Sequence, residues 1–336
     1  MRKANSLTAK LFNRTYNLAH SSSYSRHLAK QIHEAFLSNP PDVVIAPAFS
    51  TAISYLKTSV PVIYISDTTF RLLYGYYEWF SNFWPWSVRE GDRLESRAID
   101  TSTFSVFASE WAARSAIEHY HARPDKVKVI PFGANLVNRS SEESILKKEK
   151  GSHCRLIFIG MEWNRKGGPL VMETLQKLRE SGIPAELDIV GCDPPIQRPQ
   201  QGIRIFPRID KSTPEGSRLF DSLMGENHFL FVPSRAECFG VVFAEASAYG
   251  LPSITTDTGG IPDVVINGEN GFRLPLTAGP EDYARTIADL YNDFNERYRP
   301  LSLSSYHLYK SHLNWDRWAD QMVPVILAAH DRHVNY

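Results

Sequence analysis

Residues 234–252, "SRAECFGVVFAEASAYGLP", place two glutamates, Glu237 and Glu245, eight positions apart around a Phe-Gly pair. The apolar run before them predicts a short strand, and the run after them predicts a helix that stops at Gly250. Both carboxylates are therefore expected at a strand-to-helix junction. A carboxylate accepts hydrogen bonds from neighbouring hydroxyls, so the pair could hold two ends of a hydroxyl-bearing ligand. A solvent-facing helix position explains Glu245 equally well.

The start of that predicted helix is suited to a negatively charged group. Beyond Gly240, unpaired N–H groups and the helix dipole favour an anion such as a diphosphate. Eight helical residues span about 12 Å at most. That length is comparable to the separation of the sugar and the ribose in a nucleotide sugar.

Two further loops have residue types that suit a phosphate or a closely held ligand. In "FIGMEWNRKGGPL", Gly160 ends a predicted strand, and Arg165 and Lys166 precede a Gly-Gly-Pro helix start. Two cations beside exposed N–H groups suit a phosphate, although a solvated basic turn explains this motif when it is taken alone. In "TTDTGGIPD", Gly259 and Gly260 would let the backbone approach a ligand, and a plain tight turn explains that loop nearly as well.

Composition limits the class of protein. The chain has 336 residues with 37 Lys plus Arg and 37 Asp plus Glu, so no net field attracts nucleic acid or anionic lipid. Cys154, Cys192 and Cys238 lack metal-ligand spacing, and their odd number fits a reducing cytoplasm. The sequence has no run of 18 apolar residues and no apolar signal-peptide core. We expect a cytoplasmic protein without a nucleic-acid partner, at most peripheral at the inner face of the membrane.

Short apolar runs alternate with amphipathic helical patterns, which predicts two doubly wound, Rossmann-like α/β domains facing a cleft. Ligands of such sheets bind beyond the carboxyl ends of the strands. The polar stretch 138–153 is predicted to be the interdomain linker. The last helix is predicted to pack back on the first domain, with a dimer interface as the alternative. The predicted division is 1–137, 138–153, 154–305 and 306–336, and the predicted strands are "DVVIAP", "PVIYISD", "FSVFAS", "KVKVIPFG", "RLIFIG", "AELDIVG", "IRIFPRI", "HFLFVPS" and "PSITTD".

In this order and spacing, the three loops resemble the nucleotide-sugar domain of the retaining glycosyltransferases of family four, also called group one. These enzymes have the two-domain GT-B fold. The resemblance covers nearly all of residues 100–330. It depends on the Glu-x7-Glu element of Glu237 and Glu245 with Phe239 and Gly240 between them, on the loop from Gly160 to Gly167, and on Gly259, Gly260 and Pro262.

The resemblance implies a role for each of these residues. Lys166, assisted by Arg165, would hold the donor diphosphate and stabilise the leaving phosphate. Glu237 would orient the sugar ring, and the N–H groups around Phe239–Val241 would support the sugar and the phosphate. Glu245 would bind the ribose diol.

The implied reaction transfers a sugar, of the hexosyl type, from a nucleoside-diphosphate sugar to an acceptor hydroxyl with retention of the anomeric configuration. The departing phosphate oxygen can take the acceptor proton, so the protein positions the substrates and stabilises an oxocarbenium-like state. The scheme requires no metal and no organic cofactor, because Lys166 and the helix start neutralise the diphosphate. The acceptor stays open among glycans, lipids and small molecules.

Three features depart from the family pattern. Met161 stands where members usually carry an arginine. The N-terminal segment predicts a helix and then a strand, with no glycine before Gly75, so the first domain is expected to lack its N-terminal β-loop-α unit. Asp67 is the nearest candidate for the position of a histidine that many members carry near the sugar, and a helix N-cap is its other explanation. The alternative function is a nucleotide-sugar-binding GT-B protein without turnover.

Residues 74–86, "YGYYEWFSNFWPW", concentrate aromatic side chains in a stretch without a clear strand or helix pattern. Core packing would explain about half of them. The others suit a platform that stacks on the sugar rings of an acceptor, or a contact with a membrane surface.

Overall fold

The computed structural model of the protein describes residues 12–136, 140–195 and 201–334. Predictions that concern residues 1–11, 137–139, 196–200, 335 and 336 therefore lie outside the described residues. The chain forms two compact units and passes from the first to the second after residue 131. The first unit comprises Met1–Pro131 and Ala319–Tyr336, and the second comprises Phe132–Trp318.

The first unit contains a four-stranded parallel sheet with the strand order β1-β2-β3-β4. Among the described residues the first strand is preceded by the helix Ser22–Ser38, in agreement with the helix-then-strand order expected from the sequence. The strands are β1 (Val44–Pro47), β2 (Val62–Ser66), β3 (Phe104–Phe107) and β4 (Val127–Val129), and the helices between them are Ser50–Ile53, Phe70–Leu73, Pro85–Thr101 and Glu110–Tyr120.

The second unit contains a six-stranded parallel sheet with the order β10-β9-β8-β5-β6-β7. The first strand of this unit, β5, lies inside the sheet. The next two strands, β6 and β7, extend the sheet on one side of β5, and the later strands, β8, β9 and β10, extend it on the other side. The order therefore reverses between β5 and β8, the position at which open parallel sheets bind ligands. The strands are β5 (Cys154–Ile159), β6 (Ala185–Val190), β7 (Ile203–Phe206), β8 (Phe229–Val232), β9 (Ser253–Thr256) and β10 (Gly271–Leu274), and the helices are Glu142–Leu146, Gly168–Glu180, Pro214–Glu226, Val241–Ala248, Pro280–Asn292 and Arg299–Ser311.

The strand predictions are confirmed, because each of the nine quoted apolar runs contains a strand. The central strands β2, β3, β8 and β9 are buried at every position. A strand that is covered by helices on both faces needs consecutive rather than alternating apolar residues. Such runs are visible in the sequence, which explains why the sheets were predictable.

The stretch predicted as a linker contains folded structure of the second unit. The helix Glu142–Leu146 begins after Ser141, whose hydroxyl accepts the N–H of Ser144, and Ile145 is only 5% exposed. Nearby, Lys148 Nζ donates to a backbone carbonyl of this unit at 2.6 Å. One buried isoleucine among charged residues gives no periodic signal, so composition alone could not reveal this helix.

The last helix, Trp315–Val334, contains Pro324 and passes from residues of the second unit into residues grouped with the first. Met322 on this helix is buried, whereas Leu327 is exposed. No helix in the described residues has the length and the apolar character that a membrane crossing requires.

The aromatic segment of the first unit is partly a small core. Phe80 and Phe83 are buried beside Phe70, with edge-to-face ring separations of 5.4 Å for Phe70–Phe80 and 5.1 Å for Phe80–Phe83. Trp79 and Trp86 are instead 62% and 56% exposed. Core packing therefore accounts for part of the segment and leaves these two tryptophans at the surface.

The first unit also buries a carboxyl group. Glu95, on the helix Pro85–Thr101, is 2% exposed and accepts a hydrogen bond from the Tyr64 hydroxyl at 2.9 Å. Burial raises the pKa of Glu95 to about 7; hydrogen bonds from Ser50 and Tyr64 oppose that rise, and the charge of Asp92 adds to it.

This raised pKa makes stability depend on pH. The folded chain binds the Glu95 proton more tightly than the unfolded chain, so its contribution is greatest below pH 4.5 and is lost as the pH rises to about 7. Glu95→Gln should therefore be more stable than the wild type above pH 7, by on the order of 3 kcal/mol, and the difference should shrink toward pH 4.5. Denaturant unfolding across this range measures it, with the exposed Glu118→Gln as the matched control. A pH-independent difference would contradict the assignment.

Candidate functional site

Glu237 lies in the loop between β8 and the helix Val241–Ala248, where its carboxylate forms a buried ion pair. Lys166 Nζ donates to Glu237 Oε2, and the Ser234 hydroxyl lies 3.4 Å from the same oxygen. Glu237 is 7% exposed and Lys166 is 9% exposed. Two charges so far from water are tolerated only when they are paired, so each fixes the position of the other.

Glycines position the Lys166 side chain. A Cβ atom on Gly160, directly after β5, would lie 2.7 Å from Lys166 Cγ, so a larger residue would displace the lysine stem. Gly167 has a φ of +83°, and a Cβ there would lie 2.2 Å from the Pro233 carbonyl oxygen. Both sites require glycine because the lysine stem or the β8 loop occupies the space.

Arg165 joins the same two loops. Its Nη1 donates to the Ala236 carbonyl at 2.7 Å and lies 3.9 Å from Glu237 Oε2. Its guanidinium also pairs with Glu162. The Arg165 carbonyl accepts the N–H of Arg235 at 2.7 Å. The loops after β5 and β8 are therefore tied together by backbone and side-chain contacts.

The helix Val241–Ala248 is more accessible at its first turn than beyond it. Residues 240–242 are half-buried, whereas 243–248 are buried. Gly240 precedes the helix with a φ of +87°, and Phe239 is 1% exposed with its ring 5.6 Å from Phe132 in an edge-to-face contact. Phe239 therefore anchors the loop by packing, and the N–H groups of the first turn are the part that an anion could reach.

Glu245 is 6% exposed, so its solvent-facing explanation is wrong. Lys211 Nζ donates to Glu245 Oε1 at 2.7 Å and to the Asn135 carbonyl at 3.3 Å. Burial raises the pKa of Glu245, and the Lys211 ammonium opposes that rise.

Lys211 is the site residue that sequence reasoning missed. It lies in the loop between β7 and the helix Pro214–Glu226. The rule that ligands bind beyond strand ends covers this loop as well as the others. It has no glycine beside it, and its charged neighbour Asp210 is acidic, so the lysine forms no phosphate-type motif in the sequence.

The glycine loop after β9 completes the cluster. The Gly260 N–H donates to the Glu237 carbonyl oxygen at 3.2 Å, and Gly259 has a φ of +56°. Because β5, β8 and β9 are neighbours in the sheet, the three loops predicted from the sequence lie at one edge. The fold thus brings together Arg165, Lys166, Glu237 and Gly260.

Asp67 belongs to the first unit, where it follows β2 and lines a cavity of that unit. Its N-cap explanation is wrong, because the helix Phe70–Leu73 is capped by Thr69, whose hydroxyl accepts the N–H of Leu72. Met161, which stands where the family resemblance led us to expect an arginine, is 85% exposed.

This arrangement combines cations, a helix start and carboxylates at one sheet edge. Lys166 and Arg165 provide positive charge, and Glu237 and Glu245 provide acceptors for hydroxyl groups. In the described part of the chain, no three His, Cys, Asp or Glu side chains are grouped as metal ligands would be. The chemistry available is recognition of an anionic group that is joined to hydroxyl-bearing groups.

Two parallel α/β units, with a charged site at the strand-order reversal of the second, are the architecture of the GT-B class. Residues 153–293 match the family model described as glycosyl transferases group 1. That segment is a domain of the group-one glycosyltransferase family, as the sequence motifs predicted. The matched segment includes the loops after β5, β7, β8 and β9, which form the site.

Individual proteins agree with this assignment. The chain is 25% identical over 221 residues to a D-inositol 3-phosphate glycosyltransferase of Corynebacterium efficiens, covering 61% of this chain and 52% of the relative, so it spans about half of that relative's length. It resembles the solved sucrose-phosphate synthase of Thermosynechococcus elongatus, with a TM-score of 0.66, 16% identity and coverage of 90% and 77% of the two chains. Anabaena HepE in complex with UDP and glucose gives a TM-score of 0.63, 15% identity and coverage of 89% and 80%. The fold is GT-B.

The ion pair of the site should be strongly coupled. Lys166→Met should cost about 3–5 kcal/mol of unfolding free energy, because it leaves a buried carboxylate without its nearest cation. Adding Glu237→Gln should restore part of that loss, so the two effects should not add. Denaturant unfolding of the wild type, both single variants and the double variant measures the coupling.

The exposed pair Arg218–Glu215, with side chains 69% and 78% exposed, is the matched control. Its coupling should stay below about 0.5 kcal/mol. Equal coupling in the two pairs would contradict the buried character assigned to Lys166 and Glu237.

Proposed function

We propose that the chain is a retaining glycosyltransferase that uses a nucleoside-diphosphate sugar. The observation that carries this proposal is the buried Lys166–Glu237 pair at the start of the helix Val241–Ala248. A cation suited to phosphate and a carboxylate suited to sugar hydroxyls are held within hydrogen-bond distance of each other. In a nucleoside-diphosphate sugar, the diphosphate and the sugar are joined by a single bond.

The diphosphate would lie against Lys166 and the helix start. An ammonium group has three N–H donors, so Lys166 can bond a phosphate oxygen while it stays paired with Glu237. The N–H groups near Gly240 and the positive end of the helix add to the attraction. Arg165, held 3.9 Å from Glu237, would strengthen the local positive field.

The two carboxylates would hold opposite ends of the donor. Glu237 would accept hydrogen bonds from the sugar hydroxyls, and the backbone of Gly259 and Gly260 would line that side. Glu245 would accept hydrogen bonds from the ribose diol. Burial raises the pKa of Glu245, and the ammonium of Lys211 opposes that rise. Lys211 would therefore favour the ionised form of Glu245 in its buried position.

In the proposed reaction, the bond between the anomeric carbon and the phosphate oxygen breaks, and a bond to the acceptor oxygen forms on the same face. The acceptor proton passes to the departing phosphate oxygen. Lys166 stabilises the negative charge that develops on that phosphate and keeps its own protons throughout. This scheme needs neither a metal nor an organic cofactor, so transfer should persist in excess chelator. The acceptor would be a sugar, a lipid or a small molecule with a free hydroxyl.

The roles of Glu237 and Lys166 predict different losses. Glu237→Gln should abolish sugar transfer or donor hydrolysis and leave nucleoside-diphosphate affinity within about threefold, because its target is the sugar. Lys166→Ala should weaken that affinity by about 2 kcal/mol, roughly thirtyfold, through a lost charge-assisted contact. Calorimetry with the tightest binder among UDP, GDP and ADP measures the affinities.

The controls separate the proposed enzyme from a binding protein. Lys177→Ala removes a lysine whose side chain is 39% exposed on the helix Gly168–Glu180, and it should change neither the turnover nor the nucleoside-diphosphate affinity. Nucleotide binding by the wild type without transfer or hydrolysis of any donor would show a binding protein without turnover. Unchanged turnover in Glu237→Gln would refute its assigned role.

The role of Glu245 predicts discrimination at the ribose. The wild type should bind a ribonucleoside diphosphate about tenfold or more tightly than its 2′-deoxy analogue. The deoxy compound lacks the 2′-hydroxyl, so the buried carboxylate of Glu245 loses one hydrogen-bond donor. Glu245→Gln should reduce that ratio and raise the donor KM more than it lowers kcat. A ratio that is unchanged in Glu245→Gln would show that the ribose lies elsewhere.

A further inference from the structure

The first unit contains a cavity of about 450 Å³ at the carboxyl ends of β1 and β2. Ala48 and Ser50 reach it from the end of β1, and Ser66 and Asp67 reach it from the end of β2. This volume is within the range of about 300–1,000 Å³ that is typical of small-molecule sites. Strand ends of a parallel sheet are where such sites form.

One wall of the cavity has a buried polar atom without a partner. Asn17 is 9% exposed, and its Oδ1 accepts the N–H of His20 at 3.2 Å. Asn17 Nδ2 and His20 Nδ1, both on cavity-lining residues, have no hydrogen-bond partner in the described structure. An unmet buried donor costs about 1–3 kcal/mol, so a ligand with an acceptor at this point would be favoured.

The charges of the lining are acidic. Glu95 and Asp67 both line the cavity, and none of the described lining residues is a lysine or an arginine. A phosphate or carboxylate that entered would meet like charge and would lose its water without a counter-ion. A hydroxyl group, which both donates and accepts, would bond Asn17 and the acids without that penalty.

Another part of the lining is aromatic. Phe80 and Phe83 are buried in it, and Trp79 lines the cavity while it stays 62% exposed, so it lies at the mouth. The Trp79 ring packs 5.5 Å from Phe80 and 5.9 Å from Tyr77. Sugar and cyclitol rings have an apolar C–H face and a hydroxyl rim, and a cavity with one aromatic and one polar wall matches both.

We propose that this cavity binds an uncharged ring compound with several hydroxyls, a sugar or a cyclitol, and discriminates against its phosphate esters. This ligand would be the acceptor of the transfer, and that part rests on the proposed function. The selection is set by the absence of cations from the described lining together with the donor of Asn17 and the acids Glu95 and Asp67.

Binding to the full chain tests the selection directly. Calorimetry would measure the binding of glucose, mannose, galactose and myo-inositol. Glucose would be compared with glucose 6-phosphate, and myo-inositol with inositol 1-phosphate. At least one neutral compound should bind, about tenfold or more tightly than its ester. Equal or tighter binding of the esters, or no binding of any neutral compound, would overturn the proposal.

Two tryptophan variants locate the ligand. Trp79→Ala should weaken the neutral ligand by at least about fivefold. Trp86→Ala removes a tryptophan of similar exposure, stacked on Trp84 and not part of the cavity lining, and should leave the affinity unchanged. Equal losses in both variants, or none in either, would count against this cavity.

A third variant tests the charge argument. Glu95→Gln keeps the shape of the wall and removes an acid, so above pH 7, where Glu95 is ionised, it should narrow the preference for glucose over glucose 6-phosphate. An unchanged preference would remove Glu95 from the selection. Nucleoside-diphosphate affinity, measured in the same proteins, separates the two proposals. If the chain binds a neutral ring compound but no nucleotide, the proposed function is refuted and this inference about the cavity stands. If it binds a nucleotide but no neutral ring compound, the inference is refuted and the proposed function stands.

Discussion

The buried ion pair between Lys166 and Glu237 is the interaction on which the site depends. Each residue is less than 10% exposed, and neither charge would be tolerated at that depth without the other. The pair joins the loop after β5 to the loop after β8, which are neighbours at the point where the strand order reverses. The glycines at 160 and 167 leave room for the lysine stem and for the loop beside it, and they thereby allow the ion pair to form.

The same logic recurs at the other acid. Glu245 is buried in the helix Val241–Ala248, and burial alone would favour its neutral form. The ammonium of Lys211, from the loop after β7, opposes the rise that burial causes in the pKa of Glu245. Both acids are thus kept available as hydrogen-bond acceptors by a lysine from a different loop, which makes the geometry of the strand ends part of the chemistry.

The two units differ in the charged groups that line their proposed sites. The second unit has Lys166 and Arg165, paired with Glu237 and Glu162, beside a helix start. The cavity of the first unit has acids, an unmet amide donor and aromatic rings, with no lysine or arginine among its described lining residues. The chain has zero net formal charge, so this separation is a matter of placement and not of composition.

The class of fold, the strands and the loops that form the candidate site of the second unit could be predicted from the sequence, because buried parallel strands need consecutive apolar residues and strand-end loops have local motifs. The sequence alone could not determine that Lys166 pairs with Glu237, since 71 residues separate them and only the adjacency of β5 and β8 brings them together. The Lys211–Glu245 pair, 34 residues apart in the sequence, could not be predicted for the same reason. The helix Glu142–Leu146 was missed because a single buried isoleucine among charged residues gives no periodic signal. Asn17 and Glu95 also have no local motif; only tertiary packing removes them from water, and that removal gives a polar group its chemical significance.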